Sequence, residues 1–299
     1  MAIEQRISGL GHYPRPCMVT FIGCTDVLME NYQTNNTPFW QHNPINCRNI
    51  VIRGVKADST GLNNDGFDPD ACDNVLCENV EFNTGDDCIA IKSGKNLDTQ
   101  YGASKNQVIR DCIMHSGHGG VTLGSEMSGG IENVFAENID MNSSELDIAL
   151  RFKTNTRRGG VMRNYYARNI RVPNGVSANN GAITIDYFYR ADASDDPAES
   201  GPYRPYTDGI YITNITVGRG TKAGTKAFDI RGFATGTAPT PTPPNFVANT
   251  PRAGTAGSVG VNDAIGVVRV RNSTFNVSTT ADVIENVDLR LESVTINRS

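Results

Sequence analysis

No stretch of this chain is apolar for long enough to span a membrane, and its opening, "MAIEQRISGLGHYPRP", has no apolar core of signal-peptide length. Taken literally, the chain is soluble and unexported. Helical periodicity is also missing, and 30 glycines with 14 prolines in 299 residues imply many turns and little helix. There is no surplus of positive charge. A formal net charge of -5 argues against nucleic acid or an anionic membrane surface as partner. It leaves an acidic substrate open, because a local basic patch decides that. CxxC spacing is absent, and the seven cysteines (Cys17, Cys24, Cys47, Cys72, Cys77, Cys88, Cys112) suit neither a disulfide framework nor a zinc site. Most are expected as small buried core residues, with one bridged pair left open.

What is present is a soluble globular composition, 38% hydrophobic and 20% charged, long enough for one large domain or two ordinary ones. One short pattern recurs: "DVLMENYQT", "NIVIRGVKA", "NVLCENVEF", "QVIRDCIMH", "NVFAENIDM", "NYYARNIRV", "GIYITNITV", "VVRVRNSTF" and, more loosely, "DLRLESVTI". Aligning these places Asn31, Gly54, Asn79, Cys112, Asn138, Asn169, Asn214, Asn272 and Ser293 at one equivalent point. The steps between them are 23, 25, 33, 26, 31, 45, 58 and 21 residues. A near-constant minimum with variable excess is what a solenoid gives when loops are inserted into some coils. Stacked asparagine amides can hydrogen-bond from coil to coil as a ladder. Second strands such as "DCIAIKS", "GGVTLGS", "ALRFKTN" and "AITIDYF" follow in most coils. The expected fold is all-β, a right-handed parallel β-helix forming one domain over residues 1–299. The Pro-, Thr- and Gly-rich stretch at about 233–263 reads as a long loop between late coils.

With the coils in register, polar residues line up. Asp65 in "LNNDGFDP" precedes a second strand, Asp86 and Asp87 occupy that place one coil later, and His118 follows on the next. Arg151 and Lys153 in "ALRFKTN" lie on a fourth coil. Adjacent strands are about 4.8 Å apart, so these residues are expected on one patch of one sheet. Paired carboxylates are the equipment of glycoside hydrolysis. Crowding of two aspartates can keep one protonated as the acid. The two cations suggest a substrate with its own carboxylate. Lys92 reads as a residue of an exposed strand face, Phe39 and Trp40 as packing residues, and His12, His42 and His115 gain no support for a role in the site.

"NNDGFDP", "GDDCIAIKSG", "GHGG" and "RFKT", in this order and at these distances, resemble the polygalacturonases of glycoside hydrolase family 28 over residues 14 to 235 or so. The resemblance implies hydrolysis of α-1,4 bonds of polygalacturonate (pectin) with inversion and without metal; no other cofactor is expected, and the chain is expected to be a monomer. It implies Asp86 as general acid and Asp65 with Asp87 as the pair that activates water. His118 would support the protonation state of the acid. Arg151 and Lys153 would grip galacturonate carboxylates, Asn63 would help position groups, and Tyr189 in "ITIDYFYR" would line the leaving-group subsite. Phe152, in place of the usual isoleucine, is expected to point away from both cations. Family members carry a longer N-terminal region with a capped first coil and a secretion signal. A secreted or periplasmic location is therefore implied, and the chain is expected to lack its cap. The "GHGGVTLGSEMSGG" and "ALRFKTNTRRGG" stretches look more like the bacterial exo-acting branch than the fungal endo-acting one.

Three other readings fit. An endo-acting polygalacturonase or another pectin hydrolase would share the site. A pectate lyase would need several acidic calcium ligands and a base to abstract a proton. A non-catalytic carbohydrate-binding solenoid would not need the doubled aspartate beside His118. Across the site, the acid and base carboxyls of an inverting enzyme are expected roughly 6.5–9.5 Å apart, with Asp86 and Asp87 pointing to different sides of the backbone.

Overall fold

Alternation sets the architecture. Ile89 and Ile91, Val121 and Leu123, Leu150 and Phe152, Ile183 and Ile185, and Phe228 and Ile230 all point inward and are buried. The residues between them, Thr122, Arg151, Lys153, Thr184, Asp186, Asp229 and Arg231, therefore face the other way. In the computed structural model, which describes residues 15–96, 98–177, 179–190, 205–220, 222–233 and 265–299, these segments form one sheet. Its strands are Ile89–Ile91, Val121–Gly124, Leu150–Lys153, Gly181–Asp186, Lys226–Arg231 and Val283–Glu285. All five of its strand pairs are parallel.

A second face is built from longer strands, from Thr25–Glu30 through Asp73–Glu78, Ile131–Met141 and Val161–Val172 to Val287–Arg298. Each pairs in parallel with the strand of the next coil, so that Val108 lies between Leu76 and Phe135. Among the described residues there is no α-helix. The fold is a right-handed parallel β-helix, as the repeat implied. Its core is a column of stacked aliphatic and aromatic side chains running through every coil. The segment 65–70 is tied in by single bridges, His42 to Phe67 to Ile89 and Ile45 to Asp70 to Lys92. That segment thereby extends the first sheet by one position and carries Asp65 and Asp68.

The corners need left-handed backbone, which only Gly, Asn and Asp adopt cheaply. Asn31, Gly54, Asn79, Asn138, Asn169, Asn214, Asn272 and Ser293 all have φ between 47° and 64°. In the fourth coil the corner residue is Asp111, φ 54°, and not Cys112, which is buried. The expected alignment slipped by one residue there, because that coil starts at Asn106 and not at Gln107. A second ladder, unseen in the sequence, runs through Asn49, Asn74, Asn106, Asn133 and Asn164, all with positive φ, five residues before the first. Amide hydrogen bonds link successive corners, as from Asn169 to Asn138, 2.9 Å, and from Asn214 to Asn169, 2.8 Å. Asn169→Ala should cost about 2 kcal/mol, from left-handed strain of about 1–2 kcal/mol plus the lost ladder bonds. Asn169→Gly keeps the backbone and should cost less. Urea unfolding of the two variants checks this, and equal midpoints would remove the conformational account.

All seven cysteines are free thiols, so the bridged pair left open does not form. Five are buried and two half-buried, in line with a packing role. Phe39 and Trp40 are buried and stacked at 4.8 Å. The Pro-, Thr- and Gly-rich stretch expected as a loop, and His12, lie outside the described residues. Among the described residues no helix is long and apolar enough to cross a membrane.

Candidate active site

The outward face of the first sheet gathers the expected residues. One carboxylate oxygen from each of Asp65, Asp86 and Asp87 lies within 4.8 Å of the others. This is tighter than the wide spacing expected, and the adjacent Asp86 and Asp87 converge on one point instead of diverging. The turn before Ile89–Ile91 brings Asp86 back over the sheet, where Asp87 N–H donates to Asp86 Oδ1 at 3.0 Å.

The three carboxyls differ in access. Asp87 is 0% exposed and Asp65 3%, whereas the Asp86 side chain keeps 17% of its surface. Asp86 Oδ1 pairs with His118 Nδ1 at 3.1 Å, and Asn63 Nδ2 donates to Asp86 Oδ2 at 3.4 Å. Asn63 is itself held by Arg15, whose Nη2 donates to Asn63 Oδ1 at 2.6 Å. His118 sits between glycines for a steric reason. A Cβ at Gly119 would stand 2.2 Å from Thr122 Oγ1 and 2.7 Å from Asp87 Oδ1.

Arg151 and Lys153 do not stand free on an open face. They reach back across the Val121–Gly124 strand, Arg151 from beside Thr122 and Lys153 from beside Gly124, to Asp87, with Lys153 Nζ 2.6 Å from Oδ2 and Arg151 Nη1 3.1 Å from Oδ1. Tyr189 covers both, its ring centroid 5.5 Å from the Arg151 guanidinium carbon and 5.1 Å from Lys153 Nζ. Phe152, between them, points into the core against Tyr165 at 4.9 Å, as expected. His42 and His115 are occupied elsewhere, by Gly66 O and Glu81 respectively.

Lys92 overturns its expected exposure. It is 4% exposed, 3.1 Å from Glu126, 3.4 Å from Asp68 and 4.0 Å from Asp65. The segment 65–70 and the turn at Glu126 roof it over. The Trp40 ring, 4.3 Å from Nζ, closes one side. Asp68, Glu126 and Trp40 are thus site residues that sequence reasoning missed. Asp68 stands three residues after Asp65 in "NNDGFDP", which was the available signal.

Burial and charge push the carboxyls apart. Burial drives Asp65 up to about 7, with Asp86 and Asp87 adding to the rise against the pull of Lys92. Asp68 is also driven well above the usual carboxylate range, by burial and by Asp65. Asp87 is also buried, yet Lys153 and Arg151 outweigh that and bring it down to about 2. For Asp86, burial is outweighed by the His118 hydrogen bond and Lys153, so its carboxyl falls below the usual range. His118 is raised, first by that bond. The proton expected on a crowded Asp86 therefore rests mainly on His118, one hydrogen bond away. A cation could use the three clustered oxygens, but Lys153, Arg151 and Lys92 already balance the charge there.

The raised Asp65 carries a stability consequence. A carboxyl with a raised folded value stabilises the fold below its unfolded value, and this is lost as pH rises through about 7. Asp65→Asn should therefore be more stable than the wild type at pH 8 and little different near pH 4. Thermal unfolding at the two pH values measures this, and a gain equal at both would contradict the buried-charge account.

Clustered carboxylates on a parallel β-helix, one at the surface and two beneath it, are the equipment of a glycoside hydrolase. Residues 10–232 match the family described as Glycosyl hydrolases family 28, and the chain belongs to that family. A probable polygalacturonase of Vitis vinifera is 32% identical over 259 residues, covering 77% of this chain and 52% of that protein. An exo-poly-alpha-D-galacturonosidase of Dickeya chrysanthemi is 32% identical over 174 residues, covering 54% of this chain and 27% of that one. Among solved structures, a hyperthermoactive exopolygalacturonase from Thermotoga maritima superimposes with a TM-score of 0.77 at 30% identity. It covers 98% of this chain and 57% of its own. The chain spans about half the length of the Vitis vinifera and Thermotoga maritima proteins and less of the Dickeya chrysanthemi one.

Proposed function

We propose that the chain is a polygalacturonase that hydrolyses α-1,4-galacturonosidic bonds of polygalacturonate with inversion, exo-acting, without a metal. The observation that carries this is the graded access of the three carboxyls. Asp86, the one that reaches solvent, donates the proton to the leaving oxygen, and His118 resupplies it. Asp65 and Asp87 lie too deep to bond covalently to an anomeric carbon. A water hydrogen-bonded to two carboxylates at about 2.8 Å each sets their oxygens some 4.6 Å apart, which the cluster accommodates. That water is the nucleophile.

The close spacing alone would fit a retaining course, where carboxyls stand about 5–5.5 Å apart. The burial of Asp65 and Asp87 speaks against either as covalent nucleophile. Exo action is supported by the exo-acting relatives. Arg151, Lys153 and Tyr189 form the wall beside the leaving group, where the outward edge of the Arg151 guanidinium can meet a galacturonate carboxylate. Residues 1–299 act as one catalytic domain, a monomer with no nucleic-acid or membrane partner. It works outside the cytoplasm, where pectin is met.

The deciding experiment is digestion of polygalacturonate in the presence of a chelator. New reducing ends without unsaturated, ultraviolet-absorbing products are expected. Calcium-dependent unsaturated products would mean a lyase. Early mono- or digalacturonate without intermediate oligomers marks exo action. Proton NMR of the first product reads the anomer, and an initial α product would mean retention.

A further inference from the structure

Lys92 is a buried cation that the reaction scheme above leaves without a task. Its side chain is 5% exposed, and it faces three carboxylates from two directions. Asp65 and Asp68 approach from the segment 65–70, and Glu126 from the turn after Val121–Gly124. Asp70 is on the same segment, Asp87 on the preceding turn and Lys153 two strands away, and all of these act on or feel its charge. One side is closed by the Trp40 ring, 4.3 Å from Nζ. Lys92 Nζ stands 4.0 Å from Asp65 Oδ2, a member of the carboxylate cluster.

Asp68 makes the arrangement informative. It is 0% exposed, and neither of its oxygens has a well-formed hydrogen bond, leaving Lys92 as its counter-charge at 3.4 Å. Asp65 Oδ1 is likewise buried without a hydrogen-bond partner. Two adjoining buried carboxyls facing one ammonium share their negative charge, since each raises the cost of ionising the other. Glu126 competes for the same ammonium from the rim, where it is 21% exposed.

We propose that Lys92 is a positioning residue for the hydrolysis. Its ammonium holds Asp65 towards the water and, in balance with Glu126, sets how much negative charge the Asp65–Asp68 pair carries. This rests on the reading of Asp65 as a water-activating carboxylate.

The test uses opposite signs. Loss of the cation in Lys92→Met should make ionised Asp65 harder to form and move the acid limb of kcat/KM to higher pH. An opposite charge at this range is worth about 1–3 pH units. Glu126→Gln removes the competing anion, leaves Lys92 more fully to Asp65 and Asp68, and should move the same limb to lower pH. Lys92→Arg keeps the charge and should leave the limb near its wild-type position. A purely structural role would lower activity in both neutralising variants without moving the limb in two directions. Carbon-13 NMR titration of the Asp65 carboxyl gives the same reading without turnover, its midpoint rising in Lys92→Met and falling in Glu126→Gln. If Lys92→Met does not fold, Glu126→Gln at the rim still decides by its sign. A wild type that releases no reducing ends overturns the hydrolase reading. A wild type that hydrolyses, with limbs and midpoints unmoved in the folded variants, overturns the role of Lys92 alone.

Discussion

Asp86→Asn should lower kcat on polygalacturonate by about 10³-fold while KM changes little, because general acid catalysis contributes about 10²–10⁴. The amide preserves size and can still accept from Asn63, but it cannot deliver a proton to a leaving sugar oxygen. Asp86 is singled out by access: it is the member of the carboxylate cluster that a substrate can touch. Its proton comes from a pair. His118 and Asp86 share one proton that sits mainly on the imidazole, raised by the same hydrogen bond that lowers the carboxyl. The alkaline limb of the rate profile should thus follow the raised His118. In His118→Ala the proton is held by Asp86 alone, and the limb should move to lower pH with a smaller rate at neutrality. Both variants are read by reducing-end release across a pH series. An Asp86→Asn enzyme within tenfold of the wild type, or an alkaline limb unmoved in His118→Ala, would mean that another group supplies the proton.

How much of this could be read from the chain depends on how far each contact reaches. The fold was legible because its signals are local: inward residues alternate, and each corner requires Asn, Gly or Asp. The one slip, Cys112 for Asp111, came from a coil whose conspicuous residues begin one position late. The second ladder was missed because the repeat was aligned at its far corner only. The candidate residues were legible as four ordered motifs, since the coils that carry them bring them to the same face. What was hidden depends on side chains crossing between coils. An alternating lysine on a strand looks solvated until the segment 65–70, Glu126 and Trp40 cover it, and no spacing announces that. The engagement of Arg151 and Lys153 with Asp87 was hidden likewise, for both side chains run backwards across an intervening strand.

That engagement makes Lys153→Met the substitution with the largest expected effect on stability. Lys153 Nζ is 2.6 Å from Asp87 Oδ2, and Asp87 is 0% exposed. Removing one partner of a buried pair leaves an uncompensated charge, at a cost of about 3–5 kcal/mol. Arg151 remains on the other oxygen and places the cost at the lower end of that range. Arg151 is the more exposed of the two, 16% against 7% for the side chains, so Arg151→Gln should act more on substrate use than on folding. Effects on substrate use and on stability should thus separate for Arg151 and coincide for Lys153. The pH dependence follows from Asp87. Its folded value is depressed to about 2, so its stabilisation is present above the unfolded value and lost as pH falls through the folded one. The deficit of Lys153→Met should be full at pH 7 and shrink as the pH drops from about 4 towards 2, where Asp87 takes up a proton in both proteins. Adding Asp87→Asn to Lys153→Met should recover part of the loss at pH 7, since it removes the stranded charge. Urea unfolding of the single and double variants at pH 7 and pH 3.5 measures all of this. A deficit equal at both pH values, or a double variant less stable than Lys153→Met, would show that Lys153 supports the coil by packing and not by its charge.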